Sequence, residues 1–129
     1  MNAEKIINVL KKMPNYKEDL IEKYTQLALI AINHVKTKLK NKKDENNEIL
    51  TMLCASLVNL FITTEICANS PTGSFSGNGY KIKKDSKKQL DFAKKLFENW
   101  RAMASNLLAD EGFSFFAIKE VFKWILKTK

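Results

Sequence analysis

The stretch Asn46–Asn69, NNEILTMLCASLVNLFITTEICAN, is the longest segment that is apolar on nearly every side of a helix. Its apolar stripe and flanks are Ile49, Leu50, Leu53, Leu57, Leu60 and Phe61, then Met52, Cys54, Ala55, Val58, Ile62 and Ile66. A helix that is apolar all round is surrounded by other helices or by lipid. Thr51, Ser56 and Asn59 interrupt it, and its unbroken apolar runs fall far short of the roughly 20 residues of a bilayer span. The stretch therefore predicts the central, buried helix of a small helical domain.

Length and composition predict a single domain over residues 1–129. A chain of 129 residues with 45% hydrophobic residues can fill one core. Cys54 and Cys67 both lie on the central stretch, and 13 helical residues separate them by about 20 Å, too far for a disulfide. The N-terminal sequence MNAEKIINVLKK lacks the apolar core of a signal peptide. We therefore expect a protein made in the cytoplasm with two reduced thiols.

The charge is strongly basic and consists almost entirely of lysine. The net charge is +8, and Arg101 is the single arginine among 22 basic residues. Proteins that recognise DNA bases favour arginine, whose guanidinium forms paired hydrogen bonds. The composition thus argues against sequence-specific DNA recognition. It leaves open an AT-rich coding genome and a surface that makes non-specific contact with DNA or another polyanion.

Helices are predicted on both sides of the central one. A short amphipathic helix over residues 3–13 should end at Pro14, and a second helix should run from Tyr16 to Asn41. Asp44 is the predicted N-cap of the central helix, so these two long helices form an antiparallel hairpin. The expected core face of the second helix is Leu20, Tyr24, Leu27, Ala31, Val35 and Leu39 or Lys38, widened by Ile21, Ala28 and Ile32.

Residues 70–85, SPTGSFSGNGYKIKKD, break the helical periodicity. Gly77-Asn78-Gly79 is a strong tight-turn signal between two short segments that contain aromatic and β-branched residues. The pattern predicts a small β-hairpin arm that protrudes from the helical body. Phe75, Tyr80 and Ile82 favour an arm that is ordered by itself or by a partner.

A fourth helix should begin at Asp85 or Ser86 and end near Ala109, with Gly112 as a left-handed cap. Its predicted core stripe is Leu90, Ala93, Phe97, Trp100, Ala104 and Leu107, flanked by Phe92, Leu96, Met103 and Leu108. The final segment, 113–129, contains four of the eight phenylalanines and one of the two tryptophans. It could insert into the core, contact another chain, or lie on a membrane surface as an amphipathic helix.

No pattern typical of catalysis is present in the sequence. One histidine allows neither a histidine metal site nor a convincing Cys–His pair. The Gly/Ser-rich residues 74–79 lack the GK[ST] ending and the preceding strand of a phosphate-binding loop. We therefore expect a non-enzyme without a cofactor or a metal ion.

The order of elements resembles the small head–tail connector, or neck ring, proteins of tailed bacteriophages and phage-tail-like bacteriocins. The resemblance rests on the helical pair 17–43 and 44–69, on SFSGNGYKIKKDS, and on QLDFAKKLFENW. In that family a segment with small and aromatic residues precedes the last long helix, and Phe75, Gly79 and Tyr80 occupy those places here. The aromatic segment 113–129 departs from the family pattern.

The resemblance implies a structural protein made in the cytoplasm and assembled into a phage or phage-like particle. Its protomers would form a homo-oligomeric ring, roughly twelve-fold, through head-to-tail contacts, beside portal or tail proteins and with no membrane partner. The predicted contact residues are Phe75, Asn78, Tyr80, Ile82, Phe115, Phe116 and Trp124. The alternatives are a cytoplasmic lysine-rich helical protein associated with nucleic acid or regulation, and a helical adaptor whose C-terminal segment docks on a partner.

Overall fold

The computed structural model describes residues 1–13, 16–69 and 76–109, with the backbone alone for 67–69 and 76–86. Its four α-helices are α1 (Ala3–Leu10), α2 (Ile21–Lys38), α3 (Glu48–Asn69) and α4 (Ser76–Met103). Two 3-10 helices, Glu18–Leu20 and Lys42–Asn46, precede α2 and α3. The predicted all-helical architecture is confirmed for this part of the chain.

Helix α3 is the centre of the bundle, as its sequence predicts. It packs against α1, α2 and α4, and α1 also packs against α2. Its fully buried side chains include Leu50, Leu53, Leu57, Val58 and Phe61. The span Glu48–Ile66 is long and apolar enough to cross a membrane, but 67% of this span is buried inside the fold, as in the core helices of soluble proteins.

Helix α3 begins at Glu48, four residues after the predicted cap Asp44. The Oδ1 atom of Asn47 accepts a hydrogen bond from the backbone N–H of Ile49 at 2.9 Å, and the Asn47 carbonyl accepts one from Leu50 at 3.0 Å. These bonds satisfy amides that a helix leaves unpaired at its start. Asp44 belongs instead to the preceding 3-10 helix. The prediction of Asp44 as the N-cap was therefore wrong.

Helix α2 is shorter than the predicted span of residues 16–41, because a 3-10 helix occupies its expected first turn. Its core face is largely as predicted: Tyr24, Leu27, Ala31 and Val35 are almost completely buried. The Tyr24 hydroxyl accepts a hydrogen bond from the backbone N–H of Lys17 at 3.2 Å and so holds the entry to α2.

The predicted β-hairpin is wrong for the residues that the structure describes. Helix α4 begins at Ser76, so Gly77, Asn78 and Gly79 lie in its first turn. No described glycine has a positive φ angle, as the predicted tight turn would require. An isolated two-stranded hairpin is marginally stable, whereas extending an existing helix gains one hydrogen bond per residue. Extension of the helix is therefore favoured here, although glycine disfavours helices.

The ends of α2 and α4 are joined by short backbone hydrogen bonds. Leu39 and Leu108 form an antiparallel bridge. The N–H of Lys40 donates to the carbonyl of Leu107 at 3.0 Å, and the N–H of Ala109 donates to the carbonyl of Lys38 at 2.6 Å. The described chain therefore ends beside the C-terminus of α2. Gly112, the predicted cap, lies outside the described residues.

Candidate functional site

One flank of α4 leaves large apolar side chains in solvent. Phe92 is 55% exposed and Met103 is 54% exposed, although the sequence predicted both beside the core stripe. Eleven residues correspond to about three helical turns, so the two lie on one line about 16 Å apart along the axis. Leu96 lies between them and is partly buried. We call these three residues the α4 flank.

The α4 flank is exposed because α4 packs mainly against α3. The buried residues Ala93, Phe97 and Ala104 form its contact face. Among the described helices α4 has its extensive contacts with α3, whereas α1 and α2 pack on α3 and on each other. A position a quarter-turn away from the contact face therefore meets no described neighbour, whatever its hydrophobicity.

A second surface lies at the end of the bundle where α2 and α4 finish. Lys40, Lys42 and Lys43 are exposed there, and Arg101 is exposed on the last turns of α4. Nearby, Lys36 Nζ lies 2.9 Å from Glu45 Oε1. The Lys36 ammonium lowers the pKa of the Glu45 carboxyl, first through its hydrogen bond and then through its charge. We call Lys40, Lys42, Lys43 and Arg101 the basic end.

A third feature is an open groove of about 550 Å³ on the outer side of α2. Ile21, Glu22, Thr25 and Gln26 line it. The Oε1 atom of Gln26 is buried, and no donor among the described residues reaches it. One turn further along, Leu29 is 51% exposed. We call these five residues the α2 groove, a surface that combines apolar side chains with an unused acceptor.

Burial is the largest cause of the shifted pKa values of Cys54 and His34. Desolvation raises the pKa of the Cys54 thiol to about 12, so the thiol stays protonated and unreactive. Desolvation, followed by the charge of Lys38, lowers the pKa of His34. In the part of the chain that the structure describes, no three His, Cys, Asp or Glu residues are grouped to hold a metal ion.

The structure describes three of the seven predicted contact residues, and these three by their backbone alone. Asn78, Tyr80 and Ile82 lie in the first two turns of α4. The other four predicted contact residues lie outside the described residues: Phe75, Phe115, Phe116 and Trp124. Their role remains a prediction.

Sequence reasoning missed the α2 groove and the exposure of the α4 flank. Gln26 gave one available signal, because it is a polar residue next to the core position Leu27. Phe92 gave no signal, because its spacing suits a core flank and its exposure depends on which helices pack beside α4.

No protein-family model matches this chain, no curated protein matches it, and no solved structure matches it.

Proposed function

We propose that this protein is a structural protomer of the head–tail connector, or neck ring, of a tailed phage or a phage-tail-like particle. The kind of particle is inferred from the family resemblance, and the contact surface is inferred from the fold. A rigid helical body with a buried central helix is suited to presenting surfaces rather than to enclosing a reaction centre.

The α4 flank is the observation that carries this proposal. Apolar side chains that are exposed along one side of a helix are candidates for an interaction site, because large contiguous apolar patches are uncommon on monomeric proteins. Phe92 and Met103 expose more than half of their surface, and Leu96 connects them. A head-to-tail ring needs two different complementary patches on each protomer. The α4 flank supplies one patch, and we assign the second to Asn78, Tyr80 or Ile82 or to the aromatic C-terminal segment.

The test is the oligomeric state of the wild-type chain and of a Phe92→Asp, Met103→Asp variant. Sedimentation velocity over a range of protein concentrations, followed by negative-stain microscopy, should reveal a large ring for the wild type. The variant should remain monomeric with an unchanged helical circular dichroism signal. Ala102→Asp is the matched control, because Ala102 is exposed on α4 next to Met103 but points to another face.

Two results would contradict the proposal. The wild type could stay monomeric at every concentration, including after co-expression with the products of its neighbouring genes. Alternatively, the Phe92→Asp, Met103→Asp variant could assemble as well as the Ala102→Asp control, which would remove the α4 flank from the contact.

A second candidate function is non-specific association with nucleic acid, and the basic end favours it. Lys40, Lys42, Lys43 and Arg101 are exposed where the ends of α2 and α4 are hydrogen-bonded together. Lysine and arginine side chains that neutralise phosphates release counterions, so binding must weaken steeply as salt rises. Retention of duplex DNA at low salt, lost in a Lys40→Glu, Lys42→Glu, Lys43→Glu variant, would support this function over the ring.

The third candidate is a helical adaptor that docks on a partner through residues 113–129. It differs from the ring in one measurement. An adaptor remains a monomer when concentrated and forms a complex of defined stoichiometry only with its partner.

A further inference from the structure

We propose that the α4 flank of one copy of the chain packs against the α2 groove of the next copy. This inference rests on the proposed function and deepens it, because it adds a described surface to the second patch assigned there. The groove combines the half-exposed apolar side chain of Leu29 with the exposed carboxylate of Glu22. Tyr24, Leu27 and Ala31 are buried on the opposite side of α2, so the groove faces away from the core.

The charges beside the two surfaces are opposite in sign. Lys88 and Lys95 are exposed on α4, about one helical turn before and after Phe92. The start of α2 carries three exposed acids: Glu18, Asp19 and Glu22. Lys23 is also exposed there, but it lies about a quarter-turn away from Glu22 around the helix. Among the described residues, neither Glu22 nor the two lysines of α4 form an ion pair within the chain, so a neighbouring copy can pair them.

The two surfaces also lie at the same height in the bundle. Leu39 and Leu108 are opposite each other in the bridge that joins the ends of α2 and α4. Sixteen residues before them come Lys23 and Phe92, each about 24 Å from the bridge along its helix. Both helices lead to this bridge and therefore run in about the same direction. A copy generated by rotation about an axis along the bundle keeps these heights, so Phe92 meets the level of the α2 groove.

This arrangement pairs the remaining groups as well. Glu22 lies between the heights of Lys88 and Lys95, and both lysines have stems long enough to reach its carboxylate from either side of Phe92. By the same count from the bridge, Leu29 lies between the heights of Leu96 and Met103. The apolar line of the α4 flank therefore follows the apolar and acidic line of the α2 groove.

Contact between two α4 flanks is less favourable than this pairing. It would place Lys88 and Lys95 of one copy beside the same two lysines of another copy, and like charges in contact oppose association. Pairing α4 with α2 uses a different surface on each copy, which is the head-to-tail geometry that a ring requires.

Charge reversal tests the contact, with assembly followed by sedimentation velocity over a range of protein concentrations. The Glu22→Lys variant and the Lys88→Glu, Lys95→Glu variant should each need about tenfold more protein than the wild type to assemble, because like charges then face each other. An equimolar mixture of the two variants should assemble at nearly the wild-type concentration, because each contact between unlike variants again joins opposite charges.

The matched control is Lys87→Glu, Lys94→Glu. It makes the same change in net charge on two exposed residues of α4, each one position before a residue of the test pair and therefore on another face. This control should assemble as the wild type does. Each variant should keep its helical circular dichroism signal, because every substituted residue is exposed.

The outcomes separate this inference from the ring proposal. Rings of the Lys88→Glu, Lys95→Glu variant at the wild-type concentration, or a mixture that assembles no better than its two components, would overturn the inference and leave the ring in place. A wild type that forms dimers or open filaments with the expected charge dependence would support the contact and refute the ring. A wild type that never associates would refute both.

A zero-length carbodiimide reagent measures the same contact without reversing a charge. It joins a carboxylate and an amine that touch, and mixing isotopically labelled with unlabelled protein before assembly identifies products between two copies by mass spectrometry. We expect such products between Glu22 and Lys88 or Lys95. Lys88→Arg, Lys95→Arg should assemble normally but lose them, because arginine keeps the positive charge without a reactive amine. Assembled wild type that lacks these products would refute the contact.

Discussion

The replacement Phe61→Ala tests whether the packing of α3 contributes a large part of the free energy of unfolding. Phe61 is 0% exposed and is the largest fully buried side chain of the described core. Removing a buried phenylalanine side chain loses its transfer free energy and leaves a cavity, which costs about 3–5 kcal/mol. The free energy of unfolding of a domain is about 5–15 kcal/mol. The variant should therefore lose a large fraction of its stability.

The assay is urea denaturation followed by far-ultraviolet circular dichroism, at a protein concentration where the chain is monomeric. Thermal unfolding followed by the same signal should show a Tm that is lower than that of the wild type by roughly 10–20 °C. Phe92→Ala is the control, since the same replacement at a side chain that is 55% exposed should change the stability by less than about 0.5 kcal/mol. In urea, the denaturation midpoint of Phe61→Ala should be lower than that of the wild type, while the dependence of the free energy of unfolding on urea concentration should stay the same.

Equal losses for the two phenylalanine variants would refute the assignment of α3 as the centre. Such a result would mean that Phe92 is covered in the monomer as completely as Phe61. It would also remove the α4 flank from the proposed function, because the flank must be exposed in the free protomer.

Three further predictions address the cap, the ion pair and the thiol. Asn47→Ala should lower the free energy of unfolding by about 1 kcal/mol, while Asn41→Ala should have little effect, because the Asn41 side chain makes no capping hydrogen bond. By NMR titration the pKa of Glu45 should lie below its usual value and should rise in Lys36→Met, which removes the largest cause of the shift. Since the folded pKa is the lower one, this pair stabilises the fold above the unfolded pKa and ceases to do so as pH falls through the folded pKa. Cys54, with a pKa of about 12, should resist iodoacetamide at pH 8 until the chain unfolds, as peptide mass mapping would show.

The parts of the fold that could be predicted from sequence are those set by local periodicity. Leu27, Ala31 and Val35 recur at helical spacing and are buried as predicted. The same holds for α3, whose apolar residues face every direction and therefore require neighbours on all sides. Local pattern is sufficient where a helix has a single way to bury its apolar face.

The start of α4 could not be predicted in this way, because two local preferences compete there. Gly77 and Gly79 favour a turn, whereas the helix that follows favours its own extension, and the balance is set by what packs nearby. The exposure of Phe92 and the acceptor left by Gln26 also depend on the arrangement of helices. Spacing along one helix does not contain that information.

The central position of α3 has a consequence for synthesis on the ribosome. The stretch Glu48–Ile66 has a mean hydropathy of 1.8, and α4 is its most extensive partner. When Asn69 has been made, residues 70–75 and all of α4, up to Met103, still have to be added. At about 5–20 residues per second, these 34 residues take about 2–7 seconds. During this interval α1 and α2 can already pack on α3, but the face of α3 that α4 covers in the finished fold stays uncovered.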